Sequence, residues 1–119
     1  MRIFLDSAGR IESKKNRSNI EVIEVNEYDG QGEVYGLPDQ IELDVILKDD
    51  RLLICELKSS ISKGGIYCFE RKARFCEQRH GRKADRLIVI SPIIEKSAEE
   101  FAGYLGIETY SDSSEVEEI

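Results

Sequence analysis

No stretch of the 119 residues approaches the roughly 20 consecutive apolar residues of a membrane span. The amino-terminal run Met1-Arg2-Ile3-Phe4-Leu5-Asp6 holds too short an apolar segment for a secretory signal, so a cytoplasmic protein without membrane attachment is expected. Cysteine is scarce. Cys55, Cys68 and Cys76 cannot all pair within one chain, which argues against a secreted disulfide scaffold. A zinc site built from Cys68, Cys76 and His80 lacks metal-motif spacing, and Cys76 and His80 fall on an apolar stripe. Internal repeats and low-complexity tracts are also missing. What remains is 40% hydrophobic and 34% charged, the composition of a single soluble domain with a heavily charged surface.

The formal net charge of −7 argues against a nucleic-acid partner only until it is divided along the chain. Residues 1–57 carry 7 basic and 13 acidic side chains, a net of −6. Residues 58–86 carry 9 basic and 3 acidic, a net of +6. Residues 87–119 carry 1 basic and 8 acidic, a net of −7. A local positive block favours a phosphate backbone whatever the total charge, although a solvated basic helix face has the same composition.

The apolar pattern predicts strand, hairpin, helix, strand, helix, strand, an α/β order. Residues 1–19 carry little signal beyond a possible short strand at Ile3-Phe4-Leu5. Ile20–Tyr28 alternates as a strand, with room for a bulge near Ile23-Glu24. Two apolar segments, Ile41–Leu47 and Leu52–Leu57, form a hairpin. From Ile66 the positions Ile66, Phe69, Ala73, Cys76 and His80 follow helical spacing, closed by Gly81; Ser62 is a candidate cap, and Gly64-Gly65 would delay the start. Leu87–Ser91 reads as a covered strand, Ile93–Leu105 as a helix opened by Pro92, and Ile107–Tyr110 as a last short strand. One domain over 1–110 is expected, with 1–19 ill-defined and 111–119 a frayed acidic tail.

The hairpin carries the chemistry. If its loop is Asp49-Asp50-Arg51, Asp44 faces Glu56 and Glu42 faces Lys58, while Leu43, Val45, Leu53, Cys55 and Leu57 share the other face. A two-residue loop would put Asp44 and Glu56 on opposite faces. In the first register the two carboxylates, with Cβ atoms about 5 Å apart, can share one hard cation such as Mg²⁺ or Mn²⁺. The carbonyl of Leu57 is then a third ligand. Lys58 would hold an attacking water or neutralise charge developing on a phosphate. That is the equipment of phosphodiester hydrolysis. Glu42 is either a third acid or the ion-pair partner of Lys58, and a plain surface ladder of these charges is the structural alternative.

Leu43–Leu47 followed by Leu53-Ile54-Cys55-Glu56-Leu57-Lys58-Ser59 resembles the PD-(D/E)xK nuclease superfamily, the restriction-endonuclease-like fold. The run from Gly36 to Ser91 resembles an archaeal family of uncharacterised nuclease-like domains, DUF3782. The resemblance covers roughly residues 32–110. It implies an α/β core in which a mixed sheet with a central hairpin is flanked by helices. It also implies Asp44 and Glu56 as metal ligands, Lys58 as the catalytic lysine, and auxiliary polar residues at Arg71 and Lys72. Relatives usually add a glutamate from a helix before the first strand, for which Glu12 and Glu21 are the nearby candidates. Pro38-Asp39 is a literal Pro-Asp pair, yet the register favours Asp44. The expected function is metal-dependent DNA endonuclease, with Lys63, Arg71, Lys72, Arg74 and Arg79 contacting DNA. The alternative is an inactive nuclease fold that binds nucleic acid or a protein. A homodimer, and a basic partner docked on the acidic tail, are further expectations.

Overall fold

The computed structural model describes residues 4–5, 11–12 and 20–116. Two short strands, β1 (Phe4–Leu5) and β2 (Ile11–Glu12), pair with each other. The remaining strands form one mixed sheet in the order β3 (Ile20–Asp29), β4 (Asp39–Lys48), β5 (Arg51–Leu57), β6 (Arg86–Ile90), β7 (Glu108–Tyr110). β3, β4 and β5 run antiparallel as a meander. β6 and β7 add in parallel, after crossovers through α1 (Lys63–His80) and α2 (Lys96–Leu105). The expected α/β order is the observed one. Among the described residues, no helix is long and apolar enough to cross a membrane.

Both helices cover the same face of the sheet. Leu43, Val45, Leu52, Ile54, Leu87 and Val89 pack there against Ile66, Phe69, Ala73 and Cys76 of α1 and Ala98 and Ala102 of α2. The back face is apolar as well, with Ile46, Leu53, Cys55, Ile88 and Ile90 buried together with Val116. Every strand of the sheet's centre is thus covered on both sides, and this corrects the hairpin. Asp44 pairs with Cys55, Val45 with Ile54, Ile46 with Leu53, and Lys48 with Arg51, around a two-residue turn at Asp49-Asp50. Both turn residues have positive φ, 48° and 68°, the mirror-image turn whose twist matches paired strands. The three-residue loop had been chosen to sort all charge onto one face. Burial of both faces removes the need for that sorting.

Other boundaries shift for local reasons. β3 pairs with β4 without a bulge, from Ile20–Lys48 to Asp29–Asp39. Helix α1 begins at Lys63, not Ile66, because Ser62 Oγ accepts the Gly65 N–H at 3.1 Å. At Gly65 a Cβ would lie 2.6 Å from Ile61 Cδ1, so a larger residue there would have to push that side chain aside. Gly81 ends the helix in the left-handed conformation. His80 is exposed and meets Glu27; it is not part of the core stripe. Helix α2 starts at Lys96, three residues after the expected Ile93. The segment after β7 is not frayed up to 116: a 3-10 turn, Ser113–Glu115, is capped by Asp112 Oδ1, and it delivers Val116 into the back-face core.

At the sheet edge Arg86 Nε donates to Glu108 Oε2 at 2.8 Å, and Tyr110 Oη donates to Glu108 Oε1 at 2.6 Å. The Arg86 hydrogen bond, with help from Tyr110, holds the Glu108 carboxyl below its ordinary pKa despite partial burial. A carboxylate depressed on folding stabilises fully above its unfolded pKa, and that stabilisation is lost as pH falls through the folded value. Glu108→Gln is therefore expected to flatten the acid limb of the stability profile, measured by thermal melts between about pH 3 and pH 7. An acid limb identical to wild type would remove Glu108 from that account.

Candidate functional site

The β4–β5 ladder stops at Asp44–Cys55, although both strands continue past it in sequence. β5 stays attached to β6 on its other side: Glu56 pairs with Val89, Leu57 with Ile90, and the Lys58 N–H donates to Ile90 O at 3.0 Å. β4 stays attached to β3, with Asp44 opposite Glu24 and Glu42 opposite Asn26. The two halves of the sheet therefore part between Leu43 and Glu56. A cleft of about 360 Å³ opens at the parting, bordered by Glu42, Leu43 and Asp44 on one side and Cys55, Glu56 and Leu57 on the other. Glu24, Val25 and Asn26 of β3 complete its wall.

Asp44 and Glu56 both border this cleft, but they do not face each other as expected. By the alternation of the pleat, Asp44 belongs to the back face with Glu24 and Cys55, while Glu56 belongs to the helical face. The side chain of Asp44 is half-buried. Burial raises its pKa above the ordinary aspartate value, and the carboxylates of Glu24 and Glu56 raise it further. Glu56 turns toward α1, where Lys72 Nζ donates to its Oε1. Its other oxygen, Oε2, is buried without a hydrogen-bond partner. Because the Lys58 N–H points toward β6, the N–H and C=O of Leu57 point the other way, toward the unpaired part of β4.

Lys58 is exposed just beyond β5, and no ion pair joins it to Glu42, so the expected surface ladder is not formed. Glu42 is exposed at the cleft's rim. Glu12 lies in β2, and its side chain falls outside the described residues. Glu21 is exposed on β3 opposite Leu47, on the face away from Asp44. Asp39 begins β4 and pairs with Asp29, well up-strand of the parting.

The expected nucleic-acid contacts are largely engaged within the protein. Lys72 is 6% exposed, which corrects its placement on an outer helix surface. Arg71 latches the loop before β4, with Nε donating to Val34 O at 2.7 Å and Nη2 donating to Glu33 O. Arg74 pairs with Glu70 and Glu77. Arg79 reaches Glu27 and Tyr28 O and lies over the Phe75 ring. Lys63 is exposed, with its ammonium 5.3 Å from the centre of the Phe101 ring.

Two features of the site escaped the sequence. Glu24 could have been found from the alternation of β3, had its register against β4 been derived. The Lys72–Glu56 pair had no signal, because a helix drawn from its apolar stripe gives no reason to bury a lysine. Cys55 is also enclosed here, and burial pushes its thiol up to about 12.

A fit to a divalent cation can be tested on the donors present. Asp44, Glu56 and the Leu57 carbonyl are hard oxygen donors at one cleft, the set that Mg²⁺ or Mn²⁺ prefers. The unpartnered Glu56 Oε2 and the crowded Asp44 carboxylate are both groups that a cation would relieve. Among the described residues, no three His, Cys, Asp or Glu side chains stand close enough to hold a metal by themselves, so an ion here would need a backbone oxygen and water as well.

A mixed sheet with a meander of three strands, a crossover helix and a parallel fourth strand, carrying acids where the meander parts, defines a nuclease-like fold. The family model described as the PD-(D/E)XK nuclease superfamily matches residues 39–108, more than half of the chain. The chain belongs to that superfamily. No curated protein and no solved structure matches it. The match stands at superfamily level and does not extend to the narrower archaeal resemblance.

Proposed function

We propose that the domain is a metal-dependent nuclease that hydrolyses DNA phosphodiester bonds. One observation carries the reading: Asp44 and Glu56, the two acids that the resemblance marks as metal ligands, border one cleft with Leu57 at the parting of β4 and β5. Asp44, Glu56 and the Leu57 carbonyl are the proposed ligands of Mg²⁺ or Mn²⁺, approached across the parting because the register sets the two carboxylates on opposite faces of the sheet. Such an ion supplies an activated water and relief of charge on the phosphate. Lys58, exposed one residue beyond Leu57, is the proposed group that orients the water or neutralises the phosphate, and Glu42 is the proposed further acid at the rim. Of the expected backbone contacts, Lys63, Arg74 and Arg79 are exposed, and Arg74 and Arg79 are paired with acids of the protein.

The test is cleavage of plasmid, single-stranded and branched DNA by the purified protein with Mg²⁺, Mn²⁺ or a chelator. Cleavage that requires the ion supports the proposal. Salt-dependent DNA binding with no cleavage under either ion supports a second reading, an inactive nuclease fold that binds nucleic acid or a protein. That second reading is favoured by the Lys72 contact on Glu56 and by the internal engagement of Arg71, Arg74 and Arg79.

The rim next to Glu56 also bears on substrate form. Tyr35 and Tyr67 are 45% and 51% exposed and flank Arg71, which bonds Tyr67 Oη at 3.2 Å. Exposed aromatic rings beside a guanidinium stack on unpaired bases, at about 1–3 kcal/mol per base. Tyr35→Ala/Tyr67→Ala is expected to weaken single-stranded DNA binding by about tenfold or more while changing duplex binding much less, read by fluorescence anisotropy in a chelator. Equal loss on both substrates would remove these rings from base recognition.

A further inference from the structure

Lys72 is the most deeply buried cation described, and its ammonium lies on Glu56 Oε1 inside the helical face. The Glu56 side chain is itself only 11% exposed. An unpaired carboxylate at that depth would be costly, and breaking a buried pair leaves the same cost behind. Lys72 thus neutralises Glu56 in the metal-free protein. It satisfies only one of the two oxygens, because Oε2 is buried and unpartnered. The exposed Lys58, beyond the end of β5, makes no such contact.

We propose that Lys72 is a positioning residue for the metal site: it fixes Glu56 through Oε1, leaves Oε2 as the oxygen offered to a divalent cation, and shares the carboxylate's charge with that cation. The proposal rests on the metal-dependent reading of the cleft. It gives a carboxylate buried beside the core a counter-charge within the chain itself. It also sets the sign of a coupling. Two cations attached to one carboxylate each weaken the other's hold, and such coupling is reciprocal.

The experiment measures Mn²⁺ affinity by calorimetry and thermal stability with and without Mn²⁺, on the full chain. Lys72→Met keeps the length of the side chain and removes the charge. It is expected to lower the melting temperature of the metal-free protein, to tighten Mn²⁺ about tenfold, and to enlarge the Mn²⁺-induced rise in melting temperature. Lys72→Arg should restore wild-type behaviour in all three. Glu56→Gln/Lys72→Met removes both charges, and it is expected to fold without metal and to ignore Mn²⁺. That double variant keeps the test available if Lys72→Met alone does not fold: a Mn²⁺ response equal to wild type in the double variant overturns the proposal. An unchanged Mn²⁺ affinity in Lys72→Met, with stability lost equally in both conditions, also overturns it while wild-type cleavage leaves the nuclease reading standing. If wild type neither binds Mn²⁺ nor cleaves DNA, the nuclease reading falls and takes this proposal with it.

Discussion

Asp44→Asn and Glu56→Gln are each expected to reduce metal-dependent cleavage by at least about a hundredfold, since even residues that merely support a metal ligand cost ten- to a hundredfold when lost. The two variants should differ in stability, and this difference separates a lost ligand from a lost fold. Asp44 sits directly opposite Glu24 on the neighbouring strand, and like charges in that relation repel. Its raised pKa has burial as the main cause, with Glu24 and Glu56 adding to it. Asparagine removes the charge that those surroundings disfavour, so Asp44→Asn should melt at or slightly above the wild-type temperature. Glu56→Gln instead leaves the ammonium of Lys72 buried without its partner. Breaking a buried pair from one side costs about 3–5 kcal/mol, which lowers the melting temperature clearly. Lys58→Ala should lose activity without loss of stability, because Lys58 is exposed. Plasmid nicking rates and thermal melts on the same preparations check all three. Wild-type cleavage by Asp44→Asn would remove Asp44 from the site.

The opposed stabilities also mark which parts of the site could be read from the chain. Asp44, Glu56 and Lys58 become candidates from spacing, because an acid separated by eleven residues from Glu-x-Lys needs only a hairpin to bring it close. Their faces did not follow. Register depends on whether Asp49 and Asp50 can both take positive φ, and aspartate pairs are a weaker signal for that turn than Asn-Gly. Sorting charge onto one face favours the three-residue loop only for a hairpin with one wet face, and this hairpin is covered on both. Helix α1 was legible along its stripe, Ile66, Phe69, Ala73 and Cys76, yet its buried surface is wider. Phe75 enters a separate cluster with Val34 and Ile41, and Lys72 enters the site. Residues that bury a charge to serve a neighbour from another element leave no periodic trace in a sequence.

The end of the chain leads to the second large effect. Residues 111–119 have the composition of a dispensable acidic tail, but Val116 is 2% exposed and packs on the back face with Ile46, Leu53, Cys55, Ile88 and Ile90. Asp112 prepares that docking: its Oδ1 accepts the Ser114 N–H at 3.0 Å, and that N–H holds its carboxyl below the usual range. Val116→Asp would place a charge among apolar side chains, and Arg86, the cation on that face of β6, is already bonded to Glu108. A cost of about 3 kcal/mol or more is expected, of the size seen when a buried charge lacks a partner. In a domain of this size that corresponds to a fall of roughly 10 °C or more in melting temperature. Deleting 111–119 should cost as much, because the same apolar area returns to water. Val116→Ile, which keeps the surface apolar, should stay within about 1.5 kcal/mol of wild type. Since Val116 packs on the same face as Asp44, behind Cys55, its loss should also loosen the wall of the cleft. Amide exchange would then quicken first along β4 and β5 near the parting. A truncated chain that melts like the full one would mean that the back face is closed without Val116.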